Sequence, residues 1–207
     1  MTKYFGATYR IGYIMNNSCI KMKCIYVLWA FVFCSCADTQ ITEDMRRLMG
    51  QQITLSSDWE AVWRGRDTVV TNFMETPIKL VVYHDSLVCT TCQLSRMNDW
   101  DEIAAYADSL DKWFRIIYLF APKKGDWGRV KMALKSGRFD YPVFIDPQAN
   151  FVRQNPNIPK DKRLHSFLLD KNNKVVLVGS PLHNPALWML YKSTIQKMID
   201  NNGTLSE

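Results

Sequence analysis

From Ile78 onward the chain alternates between short apolar runs and segments whose apolar residues recur every three or four positions. Ile78–His84 is almost continuously apolar and β-branched, which predicts a strand covered on both faces of a sheet. Thr91 to about Leu110 carries Leu94, Met97, Ile103 and Tyr106 at helical spacing and predicts a helix. Trp113–Phe120 predicts a second strand, ended by Ala121-Pro122, and Asp126–Ser136 a second helix stopped by Gly137. Tyr141–Ile145 reads as a short strand closed by Asp146-Pro147, and the polar, proline-containing stretch 148–163 as a loop with one helical turn. His165–Leu169 and Lys174–Gly179 flank the turn Asp170-Lys-Asn-Asn173, the pattern of a hairpin. Pro185–Ile199 predicts a terminal helix with Leu187, Leu190, Tyr191, Ile195 and Met198 along one side. Strand, helix, strand, helix, strand, hairpin, helix is an α/β order. It asks for a mixed central sheet, parallel with an antiparallel edge, flanked by helices.

Upstream the pattern is weaker. Residues 37–50 predict a tether and a short helix ending at Gly50. Trp59 and Trp63, four apart, predict one shared helical face used for packing. The first 36 residues contain no acidic residue but carry Lys3, Arg10, Lys21 and Lys23, then the apolar run Ile25–Phe33 and Cys34-Ser35-Cys36. A basic start, a short apolar centre and a small residue before the cut describe a secretory signal. The apolar run is shorter than the roughly 20 residues that span a bilayer. Ser35-Cys36 resembles the end of a bacterial lipobox, with Cys36 the lipidated residue, although Phe33 and Cys34 depart from the usual pattern. Starting at Met15 or Met22 would leave a more ordinary signal length. The expected organisation is a signal over 1–36, a tether and N-terminal extension over 37–76, one domain over 77–201 and a polar tail over 202–207.

Charge adds little to this picture. The basic residues of the signal account for most of the formal +6, so the pI of about 9.0 makes no case for nucleic acid. The cysteines change more. Of six, Cys19, Cys24, Cys34 and Cys36 fall in the signal, which leaves Cys89-Thr90-Thr91-Cys92 for the exported chain. Two thiols at that spacing, between a strand and a helix start, can close a disulfide or hold a reactive thiolate. The helix N-terminus lowers a thiol pKa, and Thr90 and Thr91 can cap it while their N–H groups face the sulfur. Cys-x-x-Cys in a βαβ setting is a redox signature, and disulfides persist where exported chains live. A zinc site would need two more ligands from His84, His165 and His183, so no metal and no cofactor is expected.

The segments Lys79–Cys92, Tyr141–Pro147 and Ser166–Val175 together resemble the thioredoxin-like superfamily, nearest its TlpA-like lipoprotein branch in Bacteroidota-type bacteria. The resemblance covers about residues 75–200. It implies a thioredoxin-like fold with one extra strand between the two halves, an attacking thiol at Cys89 and a resolving thiol at Cys92. The chain departs from the family at three points. Val88 stands where a tryptophan precedes the first cysteine, and Tyr83 where an acidic or amide side chain helps move the second thiol's proton. Leu164 stands where the family has a cis-proline beside the disulfide, a conformation essentially reserved for proline.

Two functions compete on these residues. The first is a membrane-anchored envelope thiol–disulfide oxidoreductase acting on protein thiols or disulfides, with His84, Thr90, Thr91, Leu164 and His165 as site neighbours. The second is a thioredoxin-like binding module whose disulfide is structural. A peroxidase would need proline at Val82, and a copper chaperone a longer cysteine spacing, so both are set aside.

Overall fold

The computed structural model describes residues 39–71, 73–85, 92, 94–137 and 139–205. The chain divides into two compact units, Met1–Ile41 and Thr42–Glu207. The predicted signal, Cys36 and Cys89 to Thr91 lie outside the described residues. Residues 39–48 are helical (α1), and Gly50, at φ +76°, turns the chain out of the helix.

The second unit is built on a seven-stranded sheet. Its strands are β1 (Glu60–Trp63), β2 (Arg66–Thr68), β3 (Ile78–His84), β4 (Phe114–Phe120), β5 (Val143–Ile145), β6 (Ser166–Leu169) and β7 (Val175–Val178). They lie in the order β2-β1-β5-β4-β3-β6-β7. β3, β4 and β5 run parallel, while β6 is antiparallel to β3 and β7 to β6. The half β4-β3-β6-β7 is the thioredoxin-like arrangement, and β5 is the inserted strand, so the fold is thioredoxin-like.

Side-chain alternation divides the core. Leu80 and Val82 of β3, and Phe114, Tyr118 and Phe120 of β4, meet the helices α2 (Asp101–Ser109), α3 (Trp127–Ser136) and α5 (Pro185–Asp200) on one face. The intervening Tyr83 meets an aromatic group on the other, formed by Trp59, Phe73, Phe144 and Phe151, the last from α4 (Asn150–Gln154). The hairpin turn closes on Asp170, whose Oδ1 accepts the N–H groups of Asn172 (2.8 Å) and Lys174 (2.9 Å). α5 starts with Pro185 behind Asn184, whose side chain accepts the Leu187 N–H.

Four predictions need correction. Trp59 and Trp63 share no helical face: Trp59 precedes β1 and is buried in the aromatic group, and Trp63 ends β1, exposed and donating to Asp140 Oδ1 (3.0 Å). The β1–β2 hairpin was hidden because its strands are short and partly charged. Its turn needs Gly65, at φ +74°, where an added Cβ would stand 2.5 Å from the Lys131 carbonyl oxygen. The single helix expected from Thr91 to Leu110 is broken: Ser95 Oγ donates to the Cys92 carbonyl (2.8 Å), and a 3₁₀ turn, Met97–Trp100, precedes α2. Trp113 belongs to a 3₁₀ turn ahead of β4. On α5, Leu190 is exposed, and Trp188 and Thr194 are buried in the row instead.

Candidate functional site

The parallel strands β3 and β4 end side by side, and the Ala121 N–H donates to the His84 carbonyl (2.8 Å) as the chain leaves β4. On the other side of β3, the Tyr83 N–H donates to the His165 carbonyl (2.9 Å), extending the β6 ladder beyond Ser166. This strand end therefore carries the segment leading to the cysteine pair, with the loops after β4 and before β6 on either hand. Cys92 is helical, exposed and disulfide-bonded. The other five cysteines lie outside the described residues, as do Thr90 and Thr91.

The predicted neighbours separate into distinct environments. His84 stacks on Phe120, with ring centroids 4.8 Å apart. Desolvation, reinforced by His165 and opposed by Asp85, pushes its pKa down to about 4, so the imidazole is neutral near pH 7. His165 is buried against Tyr83 at 5.3 Å, and its Nε2 lies 2.8 Å from the Pro159 carbonyl oxygen. A carbonyl only accepts, so Nε2 carries the hydrogen, and Nδ1 is buried with no hydrogen-bond partner among the described residues. Tyr83 is held as a neutral phenol, since burial, with Asp85 and Asp146 adding to it, raises its pKa beyond the usual range. The phenol thus offers no base at this point of the strand.

Leu164, at the position of the family's proline, is buried at 3% exposure and closes a 3₁₀ turn, Lys162–Leu164. The turn starts at Asp161, whose side chain accepts the Arg163 N–H. No cis peptide bond occurs among the described residues. A cleft of about 270 Å³ opens beside His84, with Met97, Trp100 and Leu182 as its apolar wall and Arg96 and His183 at its rim. His183 is tied to Asp99 across the cleft, Nε2 to Oδ2 at 3.4 Å. Two further ion pairs lie near the site: Lys162 to Asp85 (3.9 Å), which joins residues far apart in the chain and so has no local signal, and Arg96 to Asp99 (3.8 Å), an i,i+3 pair. Among the described residues no cluster of three or more His, Cys, Asp or Glu side chains could hold a metal.

The depressed His84 pKa predicts a pH-dependent loss of stability. The unfolded imidazole binds a proton below about 6.5 while the folded one resists until about 4, so the unfolded state binds more protons between those values. Stability therefore falls as pH drops through that window, by about 2 kcal/mol from pH 7 to pH 5 through this residue. Urea midpoints of the wild type and His84→Asn across that range check it: the variant should lose this part of the slope.

No protein-family model matches the sequence, and none of the curated proteins does. Solved structures do resemble the fold. A putative thiol:disulfide interchange protein DsbE from Chlorobium tepidum is 16% identical, covering 71% of this chain and 97% of its own, at a TM-score of 0.47. A putative protein disulfide isomerase from Bacteroides thetaiotaomicron is 14% identical over 73% and 90%, also at 0.47. AhpC from Enterococcus faecalis is 14% identical over 77% and 99%, at 0.48. Such distant likenesses carry no argument about chemistry, and the assignment of the fold stands on the strand order and directions given above.

Proposed function

We propose that the protein is an exported thiol–disulfide oxidoreductase of the TlpA-like kind, anchored at the envelope through Cys36 and active through Cys89 and Cys92. The observation that carries the reading is Cys92 itself: exposed, disulfide-bonded and helical, just beyond the end of a parallel strand. Cys89 stands three residues before it in the sequence, a spacing that lets a thiolate meet a helix N-terminus. In the reductive direction the Cys89 thiolate attacks one sulfur of a substrate disulfide and the substrate's second sulfur leaves as a thiolate, taking a proton from solvent. Cys92 then attacks the Cys89 sulfur, its proton is lost, and the substrate departs fully reduced while the pair becomes a disulfide. A dithiol donor restores the pair; the oxidative direction is the reverse.

Peptide mapping of the oxidised protein under non-reducing conditions tests the pairing. The expected product is a peptide containing a Cys89–Cys92 bond; a bond from Cys92 to any other cysteine would contradict the proposal. Among the described residues no helix is long and apolar enough to cross a membrane, and the anchor rests on the Ser35-Cys36 signal. Metabolic labelling with a radioactive fatty acid should mark the wild type and leave Cys36→Ala unmarked.

One observation favours a second reading, a binding module with a structural disulfide. The loop before β6 buries Leu164 at the end of a 3₁₀ turn and His165 just after it, where a substrate backbone would be received by an open proline loop.

A further inference from the structure

Both loops that flank the end of β3 are rich in lysine. The chain leaving β4 continues Ala121-Pro122-Lys123-Lys124, and the chain entering β6 runs Lys160-Asp161-Lys162-Arg163. The register brings both to the same strand end: the Ala121 N–H donates to the His84 carbonyl, and the Tyr83 N–H to that of His165. Lys123, Lys124 and Lys160 are exposed, and among the described residues no ion pair engages them. Among the described residues the accessible acidic groups at this end are matched, Asp85 with Lys162, Asp161 with Arg163, Asp126 with Arg129, and Asp99 with Arg96 and His183, while Asp146 is buried and its carboxylate accepts the Phe151 N–H. Ser86–Thr91, which follows β3 in the sequence, has no charged residue of its own. The end of β3, from which the chain runs on toward the cysteine pair, is thus bordered on two sides by exposed lysines that no ion pair among the described residues engages.

Taking the redox reading above as its basis, we infer that this end selects protein substrates whose reactive cysteines lie in acidic sequence. The lysines are long, solvated and separate, so they contribute to encounter rather than to tight binding. A positive rim raises the local concentration of an anionic partner, speeds association by tenfold or more, and loses that advantage as salt screens it. Neutral disulfides react at the pair's intrinsic rate, and basic ones are slowed by repulsion from the same charges.

The test compares the reduced full-length protein with two disulfide-bonded peptides that are identical except for glutamates or lysines beside the cysteines. Exchange rates are followed at about 0.01 M and about 1 M salt, where the Debye length falls from about 30 Å to about 3 Å. The glutamate peptide should react about tenfold faster at low salt, and the preference should vanish at high salt and in the surface variant Lys123→Ala/Lys124→Ala/Lys160→Ala. Equal rates for both peptides, a faster lysine peptide, or a preference that survives the triple variant would each overturn the inference while leaving the redox reading intact. Reaction with neither peptide would remove the redox reading, and the inference with it.

Discussion

Replacing Cys89 with serine should reduce disulfide exchange by at least about a thousandfold, to the background of the uncatalysed reaction, because it removes the nucleophile itself. Replacing Cys92 should have a different signature. The first attack still proceeds, but nothing releases the partner, and a stable mixed disulfide accumulates. The pair of results is read by stopped-flow exchange with a model disulfide and by intact mass, in which Cys92→Ser gains the mass of the bound thiol. Exposure of Cys92 allows a specific alternative outcome: if Cys89→Ser is the variant that traps, the two sulfurs have exchanged roles. Exchange that survives both substitutions would place the chemistry elsewhere.

Asn155→Ala should be the most damaging of the polar substitutions away from the cysteines, costing about 3 kcal/mol in urea denaturation. Asn155 is buried at 5% exposure. Its Oδ1 accepts the Thr54 N–H at 2.8 Å, and its Nδ2 donates to the carbonyls of Thr54 (2.9 Å) and Phe151 (2.8 Å). It therefore fastens the segment before β1 to the end of α4, across 101 residues of sequence. Truncation removes three hydrogen bonds and leaves backbone groups without their partner. The same segment also lies along the hairpin, where the Val175 N–H donates to the Gln51 carbonyl (2.8 Å) and the Ile53 N–H to that of Asn173 (2.8 Å). Loss of stability of this size would show that the region upstream of β3 is integral to the folded unit; a change below about 0.5 kcal/mol would show that it is an independent tether.

The elements that the sequence made legible are those whose pattern and packing agree. Ile78–His84 is a buried strand because all but its last residue are buried, and even its one interior charge, Lys79, sits at 1% exposure. That lysine is held by Asn173 Oδ1 at 3.0 Å, and desolvation, opposed by Asp170, lowers its pKa to about 8. Nothing in the apolar run announced this partnership, since it joins strand to hairpin turn. β6, β7 and their Asp170 turn were legible because turn chemistry is local. The β1–β2 hairpin was not, because Arg66-Asp67-Thr68 has no apolar face and its pairing is set by Gly65 lying against α3. The break after Cys92 was also hidden, because Met97 and Trp100 are three apart and suit a 3₁₀ turn as well as an α-helix.

Near the cysteine motif, the strand end could be read from the chain, but the histidines could not be told apart. His84 faces Phe120 and a cleft, whereas His165 is enclosed by Tyr83 and Pro159. That distinction arises from β-sheet alternation and a loop whose course only the fold defines.

The most direct test of the account is the reduction potential of the Cys89–Cys92 pair in the purified protein, equilibrated against glutathione and dithiothreitol buffers. The account predicts a value between about −270 and about −120 mV, the range of exchange catalysts. A value below about −300 mV would mark a disulfide too stable to turn over and would leave the binding module as the function.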